Sequence, residues 1–247
     1  MAGNRVPSES ELLQEAEKLY HELFEKLPTK VKCKPVSAPD NERIPFKADL
    51  AKVALTYRAV DITWAVLDLA KEKRPTPAFV LARCVFETAA VLFLLCRRLQ
   101  KVVETNKVGD IDDFLNRLVV GGRSELMPKV PDGNIIRSIH ISNAIDKLSK
   151  EHKNLAREYG FICEFAHPNF LGTLGSYGKL NKEKDVYNFS FDASHKNIPE
   201  PNAYGLNMLV LSLLLIKLYY KKLTDILPRF NEICETQSKN SKADEKQ

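Results

Sequence analysis

Apolar side chains recur along most of this chain at three- and four-residue intervals, the spacing that lays them on one face of an α-helix. Leu12, Leu13, Ala16, Leu19, Tyr20, Leu23 and Phe24 form the first such series. Ser8 precedes Glu11 by three residues, the spacing of a capping box, so this helix is expected to begin at Ser8 and to be ended by Pro28. Pro28, Pro35, Pro39 and Pro45 then punctuate a polar connection. A second helix is expected from Phe46 or Lys47, carrying Leu50, Val53, Ala54, Tyr57, Val60, Ile62, Trp64 and Leu67, with Pro75 and Pro77 closing it. The stretch 77–107 is apolar on nearly every face through its first half, which predicts the buried centre of a bundle.

A short helix over IDDFLNRLVV is stopped by Gly121 and Gly122. Two further helices are expected over about 134–149 and about 150–166, and the weak boundary at Ser149 leaves a single long helix open as the alternative. His167 and Pro168 end the second, because a residue before proline is pushed out of the helical region. Gly172, Gly175 and Gly178 then interleave with Leu174, Tyr177 and Leu180, and the alternating VYNFSFD follows the polar NKEKD. This pattern predicts a β-hairpin in which residues 173–180 pair with 185–192. Helix resumes after Pro199 and Pro201, from Ala203 to about Lys222, with an amphipathic extension through Ile226, Phe230 and Ile233. The expected fold is mainly α: one bundle of about six or seven helices over 1–236 with a hairpin near 173–192. Residues 237–247, nearly devoid of apolar side chains, are expected to form a disordered tail.

Composition narrows the class without naming a function. With 44% hydrophobic and 28% charged residues, 247 residues suffice for one core and exclude collagen-like, wholly disordered and disulfide-stapled readings. The net charge of +5 favours anionic partners but lacks the concentrated basic stripe of a DNA-binding domain. Five cysteines without a C-x-x-C pair point to reduced thiols and a cytoplasmic protein. The first residues, MAGNRVPSES, carry no apolar signal region. The apolar run 208–216 stops at Lys217, short of the roughly 20 residues of a membrane span, so no membrane is expected.

Candidate chemistry concentrates on two helices. Arg83 and Glu87 stand four apart in the most apolar helix, and charges so placed need partners from a neighbouring element. The segment REYGFICEFAHPN can supply them: Tyr159, Cys163, Ala166 and His167 follow one helical stripe, and Glu164 precedes His167 by one turn. Glu164 and His167 also form an E-x-x-H, half of a di-iron ligand set, but the chain holds no second copy, so no metal and no cofactor is expected. A Cys163–His167 thiolate pair is disfavoured because Cys163 approaches a helix C-terminus. The Gly172, Gly175, Gly178 spacing is not a dinucleotide fingerprint, since no helix start follows it. Arg97, Arg98 and Lys101, and the series Lys147, Lys150, His152, Lys153 and Arg157, are the basic faces that would track a phosphate backbone.

The Arg83–Glu87 pair followed by the EFAHPN segment resembles uncharacterised all-helical families near the HEPN-like superfamily. That resemblance implies a helical, prokaryotic protein among RNA-cleaving toxins and defence effectors, with Arg83, Glu87, Tyr159, Glu164, His167 and Asn169 as the carried-over positions. The ribonucleases of that superfamily place a His four to six residues after an Arg, and no Arg–His pair here has that spacing. Three functions follow as expectations. The first is a non-catalytic interaction module or RNA-associated subunit, with RNA or a partner protein as its partner and a homo-oligomer left open. The second is a metal-independent ribonuclease with His167 as acid or base and Arg83 on the phosphate. The third is a bundle that senses a small ligand or nucleotide. A structural alternative stands beside all three, in which the Arg–Glu–Tyr–His network only fixes how two helices pack.

Overall fold

In the computed structural model the helix over Pro75–Thr105 is enclosed on almost every side by other helices. The structure describes residues 5–35, 38, 40–122, 136–191 and 201–244. Among these residues, eight helices and one two-stranded sheet follow in the order α1 (Glu9–Phe24), α2 (Asp40–Lys71), α3 (Pro75–Thr105), α4 (Ile111–Val119), α5 (Ile141–Glu151), α6 (Leu155–Ala166), α7 (Leu174–Tyr177), β1 (Gly178–Asn181), β2 (Val186–Phe189) and α8 (Pro201–Asp244). α2, α5, α6 and α8 all pack on α3, α1 lies against α2 and α8, and α4 rests on α2. The mainly α bundle with one small hairpin is therefore as the hydrophobic pattern predicts.

α3 and α8 are both long and apolar enough, by composition, to cross a membrane. In the bundle, 67% of the most apolar window of α3 and 50% of that of α8 are buried inside the protein, so this apolarity builds the core. Phe79, Phe86, Leu92, Leu95 and Leu99 of α3 meet Leu209, Leu213, Ile216 and Leu223 of α8 in one continuous cluster.

The helix ends explain where the sequence pattern and the structure part. Ser8 caps α1 with both bonds of a capping box, Ser8 N–H to Glu11 Oε2 at 2.7 Å and Glu11 N–H to Ser8 Oγ at 3.3 Å. α1 stops at Phe24, before Pro28, because Lys26 and Leu27 tighten to three-residue hydrogen bonds. α2 begins at Asp40, upstream of Pro45 and not at Phe46 or Lys47. Pro45 costs the helix one hydrogen bond, which burial of Ile44 and Ala48 on either side offsets. Pro75 sits in the first turn of α3, where the missing N–H is no loss. Asn106, left-handed at φ 51°, ends that helix.

α5 begins at Ile141, later than the pattern suggests; residues 134 and 135 lie outside the described residues. Residues 136–140 are extended instead, since Gly122 N–H bonds Ile136 O and Ser138 N–H bonds Gly122 O, at 2.9 and 3.2 Å. α5 and α6 are separate helices, divided by extended His152 and left-handed Asn154 at φ 73°. The hairpin is shorter than expected. Residues 174–177 form one helical turn, and only four pairs join the strands, from Gly178 opposite Phe189 to Asn181 opposite Val186. Asp192, the expected end of the hairpin, lies outside the described residues. α8 runs unbroken through Pro228 and continues as helix to Asp244, beyond the point where composition predicts a disordered tail.

Leu92 and Leu95 are fully enclosed on α3. Truncating either to Ala is expected to cost about 2–5 kcal/mol through lost transfer free energy and a residual cavity, read as a lower midpoint in urea at unchanged slope.

Candidate functional site

α3 and α6 run antiparallel, and their ring contacts fix the register: Phe86 faces Tyr159 with centroids 5.6 Å apart, and Phe79 stacks on Phe165 at 4.2 Å. Between these two contacts lies Arg83. Its Nε donates to Glu87 Oε1 at 2.8 Å, and Tyr159 donates its hydroxyl to the same oxygen at 2.8 Å. The guanidinium carbon stands 5.6 Å from the Tyr159 ring centroid, within cation–π range. One carboxylate oxygen thus answers a charge from its own helix and a phenol from the next. Arg83 and Glu87 keep 26% and 21% of their side-chain surface in solvent, so the group lies at the edge of the core.

The electrostatics keep Arg83 charged and Tyr159 and Cys163 protonated. Burial opposes the Arg83 charge, but the hydrogen bond and charge of Glu87 outweigh it and raise the guanidinium above its ordinary range. Burial, with the hydrogen bonds to Glu87 and Cys163, pushes the Tyr159 phenol well up. Burial also raises the thiols of Cys163 and of Cys84 nearby. No group here is prepared as a thiolate or phenolate nucleophile at neutral pH.

His167 stands apart from this group. It lies eight positions beyond Tyr159, about 12 Å along a helix axis, and is the exposed residue that closes α6 at φ −95° and ψ 147°. It makes no hydrogen bond to Arg83, Glu87 or Tyr159. Glu164, also exposed, accepts from the Asn169 side-chain amide. Asn169 Oδ1 in turn accepts the Gly172 N–H at 3.1 Å, and a Cβ at Gly172 would collide with the His167 carbonyl. The EFAHPN segment therefore forms the tight turn that leads from α6 to the hairpin. Of the predicted residues, the structure brings together Arg83, Glu87 and Tyr159; Glu164, His167 and Asn169 gather separately at the helix end.

Two further polar contacts escape sequence reasoning because each joins distant segments. Tyr204 of α8 donates to Glu158, and His152 Nε2 lies 2.8 Å from the Tyr219 hydroxyl, where burial pushes the phenol up to about 12. The basic faces are partly neutralised: Arg97 pairs with Glu151 at 3.1 Å and Arg98 with Asp110 at 2.7 Å. Lys147, Lys150, Lys153 and Arg157 are exposed without interleaved aromatic rings. Among the described residues, no three His, Cys, Asp or Glu side chains are grouped to hold a metal ion.

The hairpin carries a second feature. Leu180, Tyr187 and Phe189 fall on one face of the strands, and Phe191 follows just beyond β2 with its ring near Tyr177 and Arg74; all four are exposed, Phe189 to 69% and Phe191 to 74%. Comparison with protein-family models, with curated proteins and with solved structures finds no match.

Glu87→Ala is expected to cost about 1–3 kcal/mol, more than Arg83→Ala, because it orphans both a guanidinium and a phenol. A double-mutant cycle between Arg83 and Glu87 should return a coupling of about 0.5–3 kcal/mol. The raised phenols of Tyr159, Tyr204 and Tyr219 set the alkaline limit. The unfolded chain loses these protons from about pH 10 while the folded chain keeps them, so stability falls as pH rises above that point. Tyr159→Phe should flatten that fall in denaturation midpoints measured between about pH 9 and 11.

Proposed function

We propose that this chain is a non-catalytic, HEPN-like helical interaction module, of the kind that serves as a subunit of a prokaryotic toxin or defence system. The observation that supports this reading is the closure of the central polar group. Glu87 is satisfied by Arg83 and Tyr159, and the acid–base residue that cleavage needs, His167, stands two helical turns away. A metal-independent ribonuclease must carry a phosphate on its cation while a second group moves the proton. Here Arg83 already holds a carboxylate, and among the described residues no His hydrogen-bonds to Arg83 or to Glu87.

The surface offered to a partner is the aromatic face of the hairpin. A two-stranded hairpin is at best marginally stable alone, and exposed contiguous apolar side chains mark interaction sites. The polar residues of the turn, Lys182, Glu183, Lys184 and Asp185, carry both signs, which suits a protein surface better than a phosphate backbone.

Incubation with total RNA and with tRNA is expected to give no cleavage, identical for wild type and His167→Ala. Cleavage by the wild type that His167→Ala abolishes would establish the ribonuclease instead. A photo-crosslinking residue in place of Phe189 is expected to give a discrete, nuclease-resistant adduct in the host cell, and an adduct that nuclease removes would point to RNA.

A further inference from the structure

A cavity of about 850 Å³ lies between the irregular segment 30–34 and the two proline-interrupted helices α2 and α8. That volume is within the range of small-molecule sites. Its walls are chemically unlike. The segment KVKCK contributes Lys30, Lys32 and Lys34, whereas α2 and α8 contribute an apolar floor that includes Phe46 and Pro228.

Three carboxylates also line the cleft, and two are already answered. Asp49 pairs with Lys52 at 2.9 Å and Glu42 faces Lys34 at 4.0 Å. Lys30 and Lys32 are exposed and make no ion pair among the described residues, so two ammonium groups remain for an anion. On the α8 wall the balance is the reverse. Asn231 Oδ1 is enclosed and has no hydrogen-bond donor among the described residues. Pro228 lacks the N–H that would bond the Thr224 carbonyl one turn earlier, and both residues face the cleft. A buried acceptor without a donor costs free energy that a ligand bearing one recovers. Glu235, which makes no ion pair among the described residues, lies on the same wall.

We propose that this cleft binds a nucleotide, its phosphates held by Lys30 and Lys32 and its base laid against Phe46 with a ring N–H or amino group on Asn231 Oδ1. A ligand anionic at one end and rich in donors on a flat ring at the other answers both walls at once. The site is remote in sequence from the hairpin and from Glu87, so it stands or falls independently of the interaction reading.

Titration calorimetry of the full chain with ATP, AMP, adenosine and inorganic tripolyphosphate tests it. ATP is expected to bind saturably, one per chain, and at least about tenfold more tightly than adenosine or tripolyphosphate. The double variant Lys30→Ala/Lys32→Ala, in an exposed segment outside any helix, should weaken ATP at least about tenfold with an unchanged circular dichroism spectrum. Asn231→Ala should weaken ATP and adenosine but not tripolyphosphate. Tripolyphosphate binding as tight as ATP, ATP affinity indifferent to the lysine pair, or no heat from ATP up to about 1 mM would each overturn the proposal.

Discussion

The enclosure of α3 governs the rest of the molecule. A helix surrounded by α2, α5, α6 and α8 has little water available for its polar groups, so each must be answered either by its own backbone or by the helix laid against it. Thr88 takes the first route, donating to the Cys84 carbonyl at 2.8 Å. Glu87 takes the second, and the Tyr159 hydroxyl that reaches it sets α6 in one register against α3, reinforced by the Phe79–Phe165 stack. Sliding α6 by one residue would break the phenol contact and both ring contacts together. The polar group thus specifies the packing of two helices whose apolar faces alone would accept several alignments.

How much of this was legible in the sequence depends on how local each feature is. The helices, the capping box at Ser8 and the centrality of α3 follow from spacing alone. The partnership of Arg83 and Glu87 with Tyr159 follows from necessity, because two charges in an apolar helix require an answer and few polar side chains face them. The stripe that includes Tyr159 and His167 shows which side of a helix they share, but not how far along it a partner can reach. The chain turns at Ala166, and Asn169 and Gly172 tie that turn. Proline reads locally as a stop, yet Pro45 and Pro228 lie inside helices because burial on both sides outweighs one hydrogen bond. The cleft under Lys30 and Lys32 joins an early connection to the far part of α8, and no local pattern encodes that meeting.

Taken together, these features move the interest of the molecule from its centre to its rim. The central group closes on itself, with Arg83 Nε and the Tyr159 hydroxyl both donating to Glu87. Among the described residues, the cleft between segment 30–34 and α8 and the hairpin instead leave groups unanswered: two ammonium groups and an acceptor at one, aromatic rings at the other. A scaffold that satisfies its interior can vary such peripheral elements without repacking the core.

The exposed hairpin also bears on how this protein behaves when concentrated. Among the described residues β1 and β2 each have an unpaired edge, and residues 186–191 read VYNFSF, six residues without charge, proline or glycine and with strong β propensity. Such a segment is a template for edge-to-edge growth of one molecule on another. Asp185 and Asp192 bracket it in the sequence, and Lys182 and Lys184 crowd the turn, the placement of charges that interrupts stacking in natural strands. The molecule's solubility therefore rests on a few charges that flank its most adhesive segment, so a substitution that removes one of them acts on association between molecules and leaves the bundle itself untouched.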